Sequence, residues 1–184
     1  MKNITSPLSN ETIKSLRAGE VVSLSGVVYT ARDAAHKRLV EAIDQGRPLP
    51  VDLRDQILYY VGPTPPRPGQ VIGSAGPTTA YRMDAHTPQL LSLGLKGMIS
   101  KGNRSEVVIE AMKKYGAVYF AATGGAAALL AGSIVESSVV AYEDLGTEAI
   151  HRLVFKDFPV VVAIDCYGGN QYLNGPAEYL RSQR

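Results

Sequence analysis

Short apolar runs rich in β-branched residues recur along this chain, and helical patterns fall between most of them. Residues 21–29, 57–61 and 71–74 have the composition of strands, while 31–45 places its apolar residues at helical spacing. Further on, 97–100 reads as a short strand, 105–115 as a helix, 117–121 as a strand and 125–131 as a short helix. Two more strands follow at 134–141 and 159–165, and the tail, 176–184, has a helical pattern. A chain patterned this way must cover sheet with helix, so the fold class is α/β. It is not cleanly doubly wound, because 51–74 and 151–165 each read as two strands in succession. Layers of sheet, sheet and helix with mixed strand directions are therefore expected.

With 184 residues, the chain is the size of one domain spanning 1–184, long enough to bury a core unaided. Its formal net charge of +2, with both signs interspersed, points away from a disordered tail and from a broad nucleic-acid surface. Cys166 is the only cysteine, which excludes an internal disulfide and any cluster or zinc site built on cysteines of this chain alone. A reducing, cytoplasmic setting fits that usage. No signal-peptide pattern opens the sequence, and no apolar run approaches the roughly 20 residues that span a bilayer. The composition shifts markedly only at Gly62-Pro-Thr-Pro-Pro-Arg-Pro-Gly69, where four prolines in eight residues demand a loop, either a stiff connection or a lid.

Four segments place glycine, hydroxyl or basic residues where a strand gives way to a helix, and in α/β proteins ligands gather at those ends. In Tyr29-Thr-Ala-Arg-Asp-Ala-Ala-His-Lys-Arg38, Thr30 is the expected N-cap, which puts Arg32 in the first helical turn. A cation there opposes the helix dipole unless an anion sits beside it, either a ligand or a neighbour such as Asp33. In Gly73-Ser-Ala-Gly-Pro-Thr-Thr-Ala-Tyr-Arg-Met-Asp84, a helix starting at Thr78 would set Thr78 and Arg82 on one face, where both can meet one carboxylate. In Ser100-Lys-Gly-Asn-Arg-Ser-Glu106, the Asn103–Glu106 spacing predicts a capping box, with Lys101 ahead of the helix and Arg104 in its first turn. The last group, Thr123-Gly-Gly and Cys166-Tyr-Gly-Gly-Asn170, matches neither a dinucleotide fingerprint nor a phosphate loop. His36, His86 and His151 lack metal-ligand spacing and are expected in core or surface roles.

In combination these segments resemble the β subunit of class I iron–sulfur fumarases, equivalent to the C-terminal domain of the fused enzymes; tartrate dehydratase β subunits share most of the same words. The resemblance runs over nearly the whole chain. It implies a three-layer β/β/α swivelling domain that closes on an α subunit carrying a [4Fe–4S] cluster, in a higher-order αβ assembly. It further implies that Arg32, Arg82 and Lys101 bind the carboxylates of a dicarboxylate substrate and that Thr78 lies at the carbon losing its proton. The implied reaction is reversible hydration of fumarate to L-malate, or the same chemistry taking tartrate to oxaloacetate. A non-catalytic module binding an anion or nucleotide at the same helix starts is the alternative of another class.

Overall fold

The computed structural model describes residues 1–183. Its strands are β1 (Lys2–Ser6), β2 (Val21–Thr30), β3 (Ile57–Tyr59), β4 (Gly97–Ser100), β5 (Val118–Ala121), β6 (Ile134–Ala141) and β7 (Ile150–Ile164). The helices are α1 (Asn10–Ser15), α2 (Asp33–Asp44), α3 (Thr87–Ser92), α4 (Glu106–Tyr115), α5 (Ala127–Ala131) and α6 (Gln171–Ser182), with 3-10 turns at Ala80–Met83 and Glu143–Glu148. The expected α/β class with mixed strand directions is what forms.

Strands β1 to β5 run parallel in that order, and β7 runs antiparallel to both β5 and β2. Those two pairings close β2, β3, β4, β5 and β7 into a ring. Closure rests on the two long strands, β2 and β7, because β3, β4 and β5 are only three or four residues each. β7, at 15 residues, holds β2 along one edge and, in succession, β6 and β5 along the other. Ile150–Ile164 is therefore one continuous strand, where the pattern of 151–165 predicts two. Asp157, at φ 53°, takes up an irregularity in the register opposite Ser25, donating its N–H to the Ser25 hydroxyl and accepting from Ser23.

Alternation along the ring strands separates two cores. Ile57 and Tyr59 face one, with Val118, Phe120, Phe155 and Phe158; Leu58 and Tyr60 face the other, with Met98, Tyr119 and apolar residues of α2, α3 and α4. The first core lies between the ring's walls, where the Phe155 and Phe158 rings stack at 4.1 Å. The second lies beneath the helices. In section the order is sheet, sheet, helix.

Several boundaries differ from expectation. Segment 71–74 is not a strand, because its backbone pairs with the proline loop: Ser74 donates to the Thr64 hydroxyl, and a Cβ at Gly73 would fall 2.2 Å from the Thr64 carbonyl oxygen. The short helix near 125 begins at Ala127, and the last begins at Gln171 and carries Pro176 inside it. Position 184, the end of the expected tail helix, lies outside the described residues. β1 and α1 were not legible in the pattern.

Candidate functional site

Because β1 to β5 are parallel, their carboxyl ends share one rim, and the chain leaving each end brings a different chemical group to it. Arg32 follows β2, Gly62 follows β3, Lys101 follows β4, and Thr123-Gly124-Gly125 follows β5. The stretch holding Thr78 joins the same rim from outside the ring. Thr78 donates its N–H to the Tyr60 carbonyl (2.7 Å), accepts from the Lys101 N–H (3.2 Å), and Ala80 donates to the Lys101 carbonyl (2.9 Å). The Ser100 hydroxyl also donates to the Thr78 carbonyl.

Those bonds correct one expectation. Since the Thr78 backbone is committed to β3 and β4, a helix cannot start there; a 3-10 turn starts at Ala80 with Thr79 as its N-cap. Thr78 and Arg82 are thus not stacked on one helical face. Arg82 is aimed instead by Asp33, whose Oδ1 accepts from its Nε at 2.9 Å.

Arg32 is likewise placed one step from expectation. Thr30 is not an N-cap but the last residue of β2, fully buried, donating to the Ala149 carbonyl and accepting from the His151 N–H. Arg32 itself occupies the N-cap position and makes no side-chain cap. Its guanidinium lies 3.6 Å from Asp33 and 3.5 Å from Glu148. Its Nε and the Asp33 Oδ2 are both buried without a hydrogen-bond partner. The arginine is attracted to two carboxylates yet keeps N–H groups uncommitted.

Beneath it, His36 anchors the start of α2. Its ring is fully buried, and Nδ1 lies 2.9 Å from the Arg32 carbonyl, so Nδ1 carries the proton and donates. Burial lowers its pKa to about 3, which keeps the ring neutral.

Lys101 is exposed, and among the described residues no carboxylate lies within ion-pair distance of it. Its side chain runs beside Gly124, where an added Cβ would come 3.3 Å from Lys101 Cδ. Arg104 behaves differently. It precedes α4, whose N-cap is Ser105, not Asn103, and its guanidinium is buried against Asp84 (2.7 Å) and the Thr87 hydroxyl (2.7 Å). The Tyr60 and Tyr119 rings flank it at 5.4 and 5.2 Å. Arg104 is structural, whereas Arg32, Arg82, Lys101 and Thr78 gather at the rim.

The chain matches the family described as Fumarase C-terminus over residues 2–175. It belongs to that family. Among its relatives, the aerobic class I fumarate hydratase of Escherichia coli (strain K12) is 41% identical over 172 residues, covering 92% of this chain and 30% of that protein. The corresponding enzyme of Salmonella typhimurium is 44% identical over 151 residues, covering 81% of this chain and 26% of its own length. A Methanocaldococcus jannaschii protein named for the beta subunit of L(+)-tartrate dehydratase is 36% identical over 171 residues, covering 90% of this chain and 88% of that one. The chain thus spans under a third of the fumarate hydratases and nearly all of the subunit.

Cys166 is buried, and burial raises its thiol pKa; among the described residues no three His, Cys, Asp or Glu side chains converge. Among the same residues no helix is long and apolar enough to cross a membrane.

Proposed function

We propose that this chain is the β subunit of a class I-type hydro-lyase that hydrates fumarate to L-malate, reversibly, with a companion α subunit. The observation that carries this reading is the charge balance at the rim. Arg32, Arg82 and Lys101 meet only Asp33 and Glu148 within ion-pair distance among the described residues, which leaves an excess positive charge. Such an excess fits an anionic ligand, which the family resemblance leads us to read as a dicarboxylate.

In this proposal the cluster belongs to the α subunit, a reading the lone cysteine here supports, and the present residues bind and orient the substrate. Arg82 and Lys101 hold one carboxylate and Arg32 contributes to the other. Removing a proton beside a carboxylate builds negative charge on it, and fixed cations stabilise that charge most in the transition state. Thr78, wedged between β3 and β4 beside Lys101, places its hydroxyl at the carbon that loses the proton.

Tartrate is the second reading, supported by the 36% identity to a protein named for the tartrate dehydratase beta subunit. Steady-state assays of the αβ complex with malate and tartrate decide the substrate, and Thr78→Val tests the site. The variant should lower kcat and slow exchange of the carbon-bound proton with solvent deuterium by more than tenfold. Unchanged exchange would remove Thr78 from the reaction.

A further inference from the structure

Glu148 sits 114 residues beyond Ala34 in sequence, yet its Oε2 accepts the Ala34 N–H at 2.9 Å. That bond satisfies a free donor of the first turn of α2. Serine, threonine or aspartate at the N-cap would ordinarily do so from within the helix. Here the N-cap is Arg32, which offers no acceptor, so the cap comes from another segment. The second oxygen of the same carboxylate, Oε1, lies 3.5 Å from Arg32 Nη2.

The opposite side of Arg32 is also shaped. A Cβ at Gly62 would fall 2.8 Å from Arg32 Nη1 and 3.1 Å from its Cδ. The guanidinium therefore lies between Glu148 and a surface on which only glycine leaves room. Asp33 holds the guanidinium only loosely, its Oδ2 lying 3.6 Å from Arg32 Nε while its Oδ1 accepts from Arg82. Glu148 is itself held in place: it ends a 3-10 turn and precedes Ala149, whose carbonyl accepts from the buried Thr30 hydroxyl at 3.1 Å.

From this arrangement we infer that Glu148 is a positioning residue for the substrate, acting through Arg32, with Gly62 as the floor that lets the arginine lie flat. This rests on the reading of Arg32 as a carboxylate-binding residue. A long, rotamer-rich side chain recognises a planar carboxylate well only when its fork is already oriented. Glu148 restrains the fork at a distance longer than an optimal charge-assisted bond, which leaves its N–H groups for an incoming carboxylate.

The experiment separates this role from simple capping. Glu148→Gln retains a carbonyl oxygen for the Ala34 N–H but loses the negative charge. In the αβ complex it should raise KM for the dicarboxylate roughly tenfold with kcat within about threefold, while the melting temperature of the chain stays near that of wild type. Glu148→Ala should raise KM similarly and also lower the melting temperature. Gly62→Ala, which displaces the guanidinium from the other side, should raise KM as well. In an Arg32→Ala background, Glu148→Gln should add nothing further.

A wild-type KM for Glu148→Gln, or a lower one, beside a raised KM for Arg32→Ala would overturn the positioning role alone. An additive effect in the Arg32→Ala background would overturn it too. A wild-type KM for Arg32→Ala would overturn both this inference and the assignment of Arg32 to the substrate.

Discussion

Arg104 and Arg32 both stand near the start of a helix that follows a parallel strand, and they meet opposite fates. Arg104 is buried with Asp84 at 2.7 Å, Thr87 at 2.7 Å and two tyrosine faces, so its neighbours answer its charge within the chain. Arg32 is pulled towards two carboxylates at 3.5 and 3.6 Å, and its buried Nε lacks a partner. Sequence position near a helix start does not separate the two; completeness of pairing does. A satisfied buried ion pair is part of the scaffold, whereas an under-satisfied cation at an open rim is available to a ligand.

The largest expected effect tests the first half of that contrast. Arg104→Met leaves the partly buried Asp84 without its cation and should cost about 3 kcal/mol in chemical denaturation, enough to threaten folding. Retention of full stability would show that Arg104 is as dispensable to the scaffold as a rim cation.

On the other half, Arg82→Ala and Lys101→Ala should each lower kcat/KM of the complex by roughly ten- to a hundredfold while the melting temperature of the chain stays close to wild type. Near-wild-type activity in both would empty the rim of its assigned role.

The support beneath Arg32 can be probed by acid. His36 is neutral in the fold, with its pKa lowered to about 3, whereas the unfolded chain binds a proton near pH 6.5. Its contribution is therefore fully present above pH 6.5 and is lost as pH falls from there towards 3, by about 2 kcal/mol between pH 7 and 5. Denaturation of wild type and His36→Gln at both pH values checks this; an unchanged pH slope in the variant would assign the acid sensitivity elsewhere. The smallest effect is expected at Thr79, whose hydroxyl makes no cap bond. Thr79→Val should change stability by less than about 1 kcal/mol and leave proton exchange intact, unlike Thr78→Val.

The alternation of strand and helix patterns, and the placement of Arg32 and Lys101 just after strands, were legible because each lies beside a local signal. Strand β4 and strand β6 match their predicted bounds, since an apolar run with clear flanks reports itself. What local pattern misplaced was set by distant partners. Thr78 is extended because Tyr60, Ser100 and Lys101 hold its backbone, and Thr30 is buried because Ala149 and His151 take its hydroxyl. Glu148 carries no signal in its own neighbourhood, which is a polar turn like many others. Gly62 reads as punctuation before the prolines until the guanidinium resting on it is seen.

The closed ring also fixes the order in which the site can come into being. Strand β2, which delivers Arg32, is made well before its partner β7, and bonds joining them span separations of 121 and 134 residues. A nascent chain emerging from the ribosome can form α2 well before Glu148 exists to cap it. Closing loops of that length is slow, and the edge of β2 stays open until it happens. The rim is therefore a late product of synthesis: a chain halted before Ile150 carries every proposed substrate-binding cation and lacks the strand that would hold them in register.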